Sequence, residues 1–450
     1  MKPNISKWRF RVMAIITALL FASSWLGAQD PAEPPGGKPA PQLLPRPAGA
    51  ITLNSVDRKS LRATVEELVG CGTRNSLSSW DDPQRGIGCA RDRIVARFEL
   101  IAKTSGGRLE VQVDRFEAAS PRTSEKAAHM ENVYAILPGT DPQLTKTVFI
   151  VSGHYDSRAS DVMDTASDAP GADDDASGTA VSIECARLLA RGHYRATLLF
   201  AAVAGEEQGL LGGKRLLEYA KENGYTVGGM FTNDIVGADA APGAPHRVRV
   251  FSGGGPDGVD SPSRELARAV EDIAGRNRIR MIFRVDRLGR GGDHYPFVVA
   301  GLPAVRFTEP LEDYNHQHQN VRVEEGVEYG DLIKFLNFDF MATVARSNAE
   351  ALRELALAPA APEEVTISGA VTPNAKISWA AAEDPERAGF EILWRETTSP
   401  RWSVYDFVKT AGETTLQGVS TDNHFLAVRS VGKNGARSIP VAAQLPRRSR

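Results

Sequence analysis

Apolar residues along this chain fall into short continuous runs separated by helically spaced ones. Val148-Phe149-Ile150-Val151 is unbroken, as expected of a strand covered on both faces, and Thr197–Ala202 reads the same way. Met230–Ile235, Val248–Phe251 and Ala304–Phe307 are further strand-like runs. Between and around them, Ala176–Ala190, Leu210–Lys221 and Ser263–Ala274 carry helical spacing. Upstream, Leu61–Val69 and Gly88–Ala102 predict helices, the second with Ile94, Phe98 and Ile101 on one face. Leu109–Phe116 alternates as a strand, and Asn132–Leu137 predicts another. Leu332–Leu355 predicts one long helix, with Leu332, Phe335, Phe338 and Ala342 on or near one face. Strand alternating with helix predicts an α/β fold, a mostly parallel central sheet flanked by helices. Ligands of such sheets gather at the carboxyl ends of the strands.

The pattern changes after a Pro/Ala-rich linker at 358–364. Short strands then follow at Ala375–Trp379, Gly389–Arg395, Arg401–Val408, Thr414–Gln417 and His424–Val431, with a tight turn at Asn434-Gly435. They predict a small all-β sandwich over 365–450, with Trp379, Trp394, Trp402 and Phe425 as core aromatics. At the other end, residues 1–28 have a basic start, an apolar run from Val12 to about Leu20, and a small-residue end at Leu26-Gly27-Ala28. This is the pattern of a cleaved secretory signal, which places the protein outside the cell or in the periplasm. The apolar run is short and is followed by Ser23 and Ser24, which argues against a retained membrane anchor. Residues 29–52 are Pro-rich and predict an extended linker, leaving 53–357 as the main domain.

Composition narrows the partners. With 450 residues and 42% hydrophobic content, the chain is long enough for two or three cored domains. Losing Lys2, Lys7, Arg9 and Arg11 with the signal would take the formal charge from −3 to −7, so nothing favours nucleic acid or an anionic membrane. Export permits disulfides. Cys71 and Cys89 flank a polar loop and are expected either to bridge or to be free and buried. Cys185 lies in a helical pattern and reads as a small core residue.

The candidate chemistry lies at the strand ends. Three short motifs stand out: Gly-His-Tyr-Asp-Ser (153–157), Gly-Ala-Asp-Asp-Asp-Ala-Ser-Gly (171–178) and Ala-Gly-Glu-Glu-Gln-Gly-Leu (204–210). His154, Asp174, Glu207, Asp234 and His318 form a mixed nitrogen and oxygen donor set suited to a pair of zinc ions. Two metals held close together activate one water and clamp a hydrolytic transition state, so the chain reads as a metal-dependent hydrolase. Asp156, two residues after His154, is placed to accept the imidazole's other N–H. One of Asp173, Asp174 and Asp175 is expected to cap the following helix, but three adjacent carboxylates repel unless a cation neutralises them. In the Glu206–Glu207 pair, one can bind metal while the other acts as general base. His316 and His318 are both within reach of such a site, whereas His129, His193, His246 and His424 read as structural or exposed. The chain has no His-Glu-x-x-His helix and no Gly-x-Ser-x-Gly elbow, which disfavours single-zinc and serine hydrolases.

Taken together with Asn233-Asp234 and Gly-Asp-His (292–294), these motifs resemble, in order, metallopeptidase family 28, over about residues 60–350. The resemblance implies a two-zinc aminopeptidase that hydrolyses the N-terminal bond of peptide substrates. It implies that His154, Asp234 and one side of Asp174 hold one zinc, and that Glu207, His318 and the other side of Asp174 hold the second. Glu206 would then be the general base, Asp156 would stand behind His154, and a cis peptide would follow Asp174. His318 is chosen over His316 because Gln317-His318-Gln319 is similar to one of the family's contexts. Asp293-His294-Tyr295-Pro296-Phe297 is also similar to the single-zinc glutaminyl cyclases, which leaves a cyclase as the alternative reading. A non-catalytic scaffold is the third, disfavoured because all five ligands and Glu206 are present. The segment from about Val365 to Leu445 resembles a fibronectin type III domain, through Trp379, Phe390–Trp394 and Asp422–Val428. That implies a module contacting a surface, a partner or a polymeric substrate.

Overall fold

The computed structural model describes residues 43–239, 245–253, 260–275, 278–284, 290–369 and 371–445. The expected signal sequence and most of the first linker lie outside the described residues. Among the described residues, no helix is long and apolar enough to cross a membrane.

The first part of the chain runs α1 (Arg58–Val69), α2 (Ile87–Thr104), β1 (Glu110–Ala118), β2 (Ala128–Leu137), β3 (Thr147–His154), α3 (Ala176–Leu189), β4 (Thr197–Val203) and α4 (Leu211–Glu222). It continues with β5 (Thr226–Asn233), β6 (His246–Phe251), α5 (Pro262–Ala274), β7 (Ile279–Arg284), α6 (Tyr295–Val299), β8 (Ala304–Thr308), a small hairpin of β9 (Arg322–Glu324) and β10 (Val327–Tyr329), and α7 (Phe338–Leu357). Eight strands form one sheet in the order β1-β2-β4-β3-β5-β8-β6-β7. Its centre is parallel (β4 with β3, β3 with β5, β5 with β8), and β6 and β7 are also parallel to each other. Antiparallel pairs join β1 to β2, β2 to β4 and β6 to β8.

The continuous apolar runs have the predicted cause. In β3, Phe149 and Val151 pack into the core beneath α1, α2, α3, α5 and α7, while Val148 and Ile150 pack against Leu216, Leu217 and Ala220 of α4 and Phe297 of α6. Each such side chain removed from water contributes about 1.5–3 kcal/mol, which accounts for the unbroken apolar run over 148–151. The helix expected from Leu332 starts later. A single 3-10 turn at Ile333–Phe335 comes first, and Asn337 then caps α7 by accepting from Asp339 N and Phe340 N. β7, β9 and β10 had no clear signal; in β7, Arg280 and Arg284 interrupt the apolar run. Cys71 and Cys89 form a disulfide, and Cys185 is buried and free.

Beyond α7 the chain forms two antiparallel sheets. They consist of β11 (Glu363–Ser368), β12 (Ala375–Ala380), β13 (Arg387–Glu396), β14 (Ser403–Val408), β15 (Gly412–Leu416), β16 (His424–Gly432) and β17 (Val441–Ala442). β11, β12 and β15 make one sheet, and β14, β13, β16 and β17 the other. Val365, Ile377, Trp379, Phe390, Ile392, Trp394, Leu426 and Val428 fill the space between them. Two expectations are corrected here. Glu363, placed in the linker, pairs with Ala380 as the start of β11. Trp402 and Phe425 are not core residues: Trp402 leaves the sandwich and donates its indole N–H to Glu265 of α5 at 2.6 Å, and Phe425 is half-buried with the Arg395 guanidinium 4.2 Å from its ring centroid. The described end of the first linker lies along α7, where Ile51 N donates to Glu350 (2.7 Å) and Arg353 donates to Ala48 O (3.0 Å).

Candidate metal centre

Chain reversals at the carboxyl ends of the central strands place the acidic and imidazole side chains. His154 is the last residue of β3, Glu207 lies in the turn after β4, and Asp234 directly follows β5. Asp174 lies just before α3, across a cis peptide bond from Asp175. Asp175 is the cap: its carboxylate accepts from Gly178 N at 2.9 Å and from His154 N at 3.0 Å, tying helix to strand. Glycine makes this approach possible. A Cβ on Gly153 would lie 2.3 Å from the Gly178 carbonyl carbon, and a Cβ on Gly178 would lie 2.0 Å from Asn233 O. The turn carrying Glu206 and Glu207 pivots on Gly205 at φ 74° and is held by the buried Asp156 carboxylate, which accepts from Glu206 N (3.3 Å) and Glu207 N (3.1 Å). Asp156 also stands 3.3 Å from His154 Nδ1, so it orients both motifs.

The five side chains meet in two groups that share one residue. His154 Nε2 lies 3.1 Å from Asp174 Oδ1 and 3.8 Å from Asp234 Oδ1. His318 Nε2 lies 2.9 Å from Asp174 Oδ2 and 2.8 Å from Glu207 Oε1. Within each group the donor atoms all fall within 4.8 Å of one another, and Asp174 offers a different oxygen to each. His154 Nε2 and Glu207 Oε1 are buried, and the approaches of Asp174 to the first and His318 to the second are close but lack hydrogen-bond geometry. Buried polar atoms seldom go unpaired, and a pair of cations would satisfy both, so these residues fit two metal ions. His316 points elsewhere: its ring stacks on Phe335 at 3.6 Å and sits 3.7 Å from Asp313.

The electrostatics agree with a site built for cations. Burial disfavours a charged imidazole, but Glu207 and Asp174 outweigh it and push His318 up to about 10. Glu206 keeps some exposure to the cleft, but its carboxyl is set among protein atoms, and this desolvation, with Asp234, Glu207 and Asp293 nearby, outweighs the opposing His154 and raises it well above the usual range.

Several supporting residues carried no separate signal in the sequence. Asp331 accepts from Asp173 N (2.9 Å) and Asp174 N (2.7 Å), fixing the acidic turn from a position 157 residues beyond Asp174. Burial raises its pKa to about 8. Arg306 pairs with Asp234 and is itself held by Thr308 Oγ1 (3.0 Å) and Gly291 O (2.8 Å). Arg74 is fully buried and donates to Tyr155 O, Pro170 O and Gly171 O, joining the first two motifs from behind. Asp293 differs from these in that the Gly-Asp-His motif marks it in the sequence; it is buried with neither oxygen hydrogen-bonded, and burial lifts it to about 7.

The sequence pattern of Peptidase family M28 matches residues 132–324, the segment that carries the whole cluster. A protein of Leptosphaeria maculans named a probable zinc metalloprotease is 40% identical over 409 residues, spanning 86% of this chain and 94% of the relative. The chain belongs to peptidase family M28. A second relative, a probable zinc metalloprotease of Pyricularia oryzae, is 40% identical over 438 residues, covering 91% of this chain and 86% of the relative. Among solved structures, the Legionella pneumophila LapA aminopeptidase is similar with a TM-score of 0.52 at 18% identity, over 68% of this chain and 73% of that one. The Fimbriiglobus ruber glutaminyl cyclase is similar with a TM-score of 0.50 at 19% identity, over 69% and 99%. At such identities the likeness shows that this M28 chain shares their fold and does not separate their chemistries.

Proposed function

We propose that this chain is an exported zinc-dependent exopeptidase that removes N-terminal residues from peptides. The observation that carries the reading is Asp174, whose two carboxylate oxygens are each shared with a different imidazole. His154, Asp174 and Asp234 would hold one zinc, and Asp174, Glu207 and His318 the other. When bound, the ions supply Lewis acidity, making a water acidic and polarising the scissile carbonyl. The protein does the rest. Glu206 accepts the proton of the attacking water and returns it to the leaving amine. Asp156 holds His154 and the Glu206–Glu207 turn in register, and Arg306 fixes the second oxygen of Asp234. The same reading takes residues 1–28 as a signal sequence, 53–357 as the peptidase unit and 365–450 as a fibronectin type III-like attachment module.

Free and N-acetylated peptides of one sequence test the reading, assayed on protein whose zinc content is measured in parallel. Turnover confined to the free amine, with two zinc ions per chain, is the expected result. Equal rates on both peptides would exclude an aminopeptidase. One zinc per chain with cyclisation of N-terminal glutamine would assign the cyclase chemistry instead.

A further inference from the structure

The cleft over the cluster has an unexpected lining. Beside Gln317, His318 and Gly291, its charged residues are the carboxylates Asp174, Glu206, Glu207 and Asp234 and the guanidinium groups of Arg122, Arg290 and Arg306. All four carboxylates belong to the proposed ligands and base. Two divalent ions would balance them, and Arg306 is paired with Asp234, which leaves the guanidinium groups of Arg122 and Arg290 without an ion-pair partner among the described lining residues. A cleft lined by one sign of charge concentrates ligands of the other sign.

Two of the three arginines are placed to use that charge. Arg122 is exposed and comes from the short turn at Pro121–Thr123. Its Nη1 donates to the carbonyl of Glu207 at 2.7 Å, which fixes the guanidinium beside a proposed ligand and leaves its remaining donors toward solvent. Arg290 enters from a separate segment, and its side chain is 38% exposed. Its Nη1 donates to Glu312 at 2.9 Å, but Glu312 also pairs with Arg249 at 2.5 Å, so one carboxylate serves two guanidinium groups. Arg306 is already engaged by Asp234, Thr308 and Gly291. Arginine binds carboxylates through paired, charge-assisted hydrogen bonds, and such bonds are short and directional.

We infer that Arg122 and Arg290 select substrates carrying a carboxylate close to the scissile bond, either the chain terminus of a dipeptide or an acidic side chain in the second position. The inference rests on the aminopeptidase reading and names its substrate class. Two pairs of peptides separate the two sources of the carboxylate. Leucyl-leucine against leucyl-leucinamide tests the terminus, and Leu-Asp-amide against Leu-Asn-amide tests the side chain. At least one pair should show a preference in kcat/KM for the anionic member of about tenfold or more, the scale of a lost charge-assisted hydrogen bond. The preference should appear in KM rather than kcat and shrink as salt rises. In Arg290→Gln and in Arg122→Gln the ratio should fall toward one, whatever the absolute rates, and Arg290→Lys should retain part of it. Ratios near one for both pairs in the wild type, or a preference that survives both substitutions, would overturn the inference. Calorimetric binding of leucyl-leucine and leucyl-leucinamide to zinc-loaded Glu206→Gln protein reads the same selectivity without turnover. Absence of all hydrolysis would therefore fail the aminopeptidase reading, while equal binding of the two ligands would fail this one.

Discussion

Glu206 and Glu207 are neighbours in the chain that end up in different surroundings. Glu207 is buried, with Oε1 2.8 Å from His318 Nε2, whereas Glu206 is partly open to the cleft. The proposed roles therefore predict opposite signatures. Glu206→Gln should cut turnover by roughly 10²–10⁴-fold, since Gln cannot take the proton, while metal content stays near wild type. Glu207→Gln should lower metal content, because a neutral amide replaces one of the three donors in its group. Activity assays with metal analysis on both variants check the assignment, and an exchange of the two signatures would swap base and ligand. The five donors could be chosen from the sequence because His154, Glu207 and Asp234 end or follow strand-like runs, while Asp174 and His318 sit in short polar motifs before a helix and after an acidic loop. The supporting residues could not. Asp331 and Arg306 are single polar residues whose partners lie 157 and 72 positions away, and no local pattern encodes that contact.

At the scale of elements, β3 and α3 set the geometry of the cluster, and glycine sets the distance between them. The conformational freedom of Gly153 is not what the motif needs; the missing Cβ is. A methyl there would meet Gly178 and Thr179 backbone atoms at 2.3 Å, and backbone cannot rotate away as a side chain can. Gly153→Ala should therefore push α3 off the strand, at a cost of about 1–3 kcal/mol or more. Because His154 and Asp174 sit on the two sides of that contact, metal affinity should fall with stability. Thermal unfolding of the metal-free protein, together with zinc titration, separates the two effects; unchanged values in both would mean that the elements can part without moving the site. Elements of this layer were legible because strands buried on both faces show as unbroken apolar runs. The edge strand β7 was not, because arginines interrupt it, and neither was the separate β9–β10 hairpin, which is three residues a side with mostly exposed positions. The start of α7 was misplaced because Leu332 and Phe335 keep helical spacing through a 3-10 turn, and the Asn337 cap decides the boundary.

At the scale of the whole molecule, the C-terminal sandwich is docked by charge. Arg401 pairs with Glu271 at 2.9 Å, Arg429 with Asp272 at 2.9 Å, and Arg395 with Asp260, while Trp402 reaches Glu265. The N-terminal strap joins the same seam, with Arg46 reaching both Asp272 (2.6 Å) and Glu354. None of these sandwich residues lines the cleft, so a chain ending at Leu357 should keep its rate on a dipeptide-sized substrate per folded, zinc-loaded molecule. It should nevertheless be less stable, because truncation leaves Asp260, Glu265, Glu271 and Asp272 without their partners from the sandwich. The seam also carries a pH signature. Burial would raise the Asp272 carboxyl, but Arg429 and Arg46 outweigh it and hold it far below the usual range. A carboxylate depressed in the folded state contributes stability above its unfolded pKa of about 3.9 and loses it as pH falls toward the folded value. The full chain should therefore become less stable as the pH drops below about 4, and Asp272→Asn should flatten that slope by removing the titrating group while lowering stability at neutral pH. Denaturant midpoints of the full chain, the Asp272→Asn variant and the truncated chain, taken at neutral and acid pH, check this together. Equal acid slopes in all three would locate the acid sensitivity elsewhere, and a folded, zinc-loaded truncated chain with no turnover would mean that the sandwich shapes the active site after all.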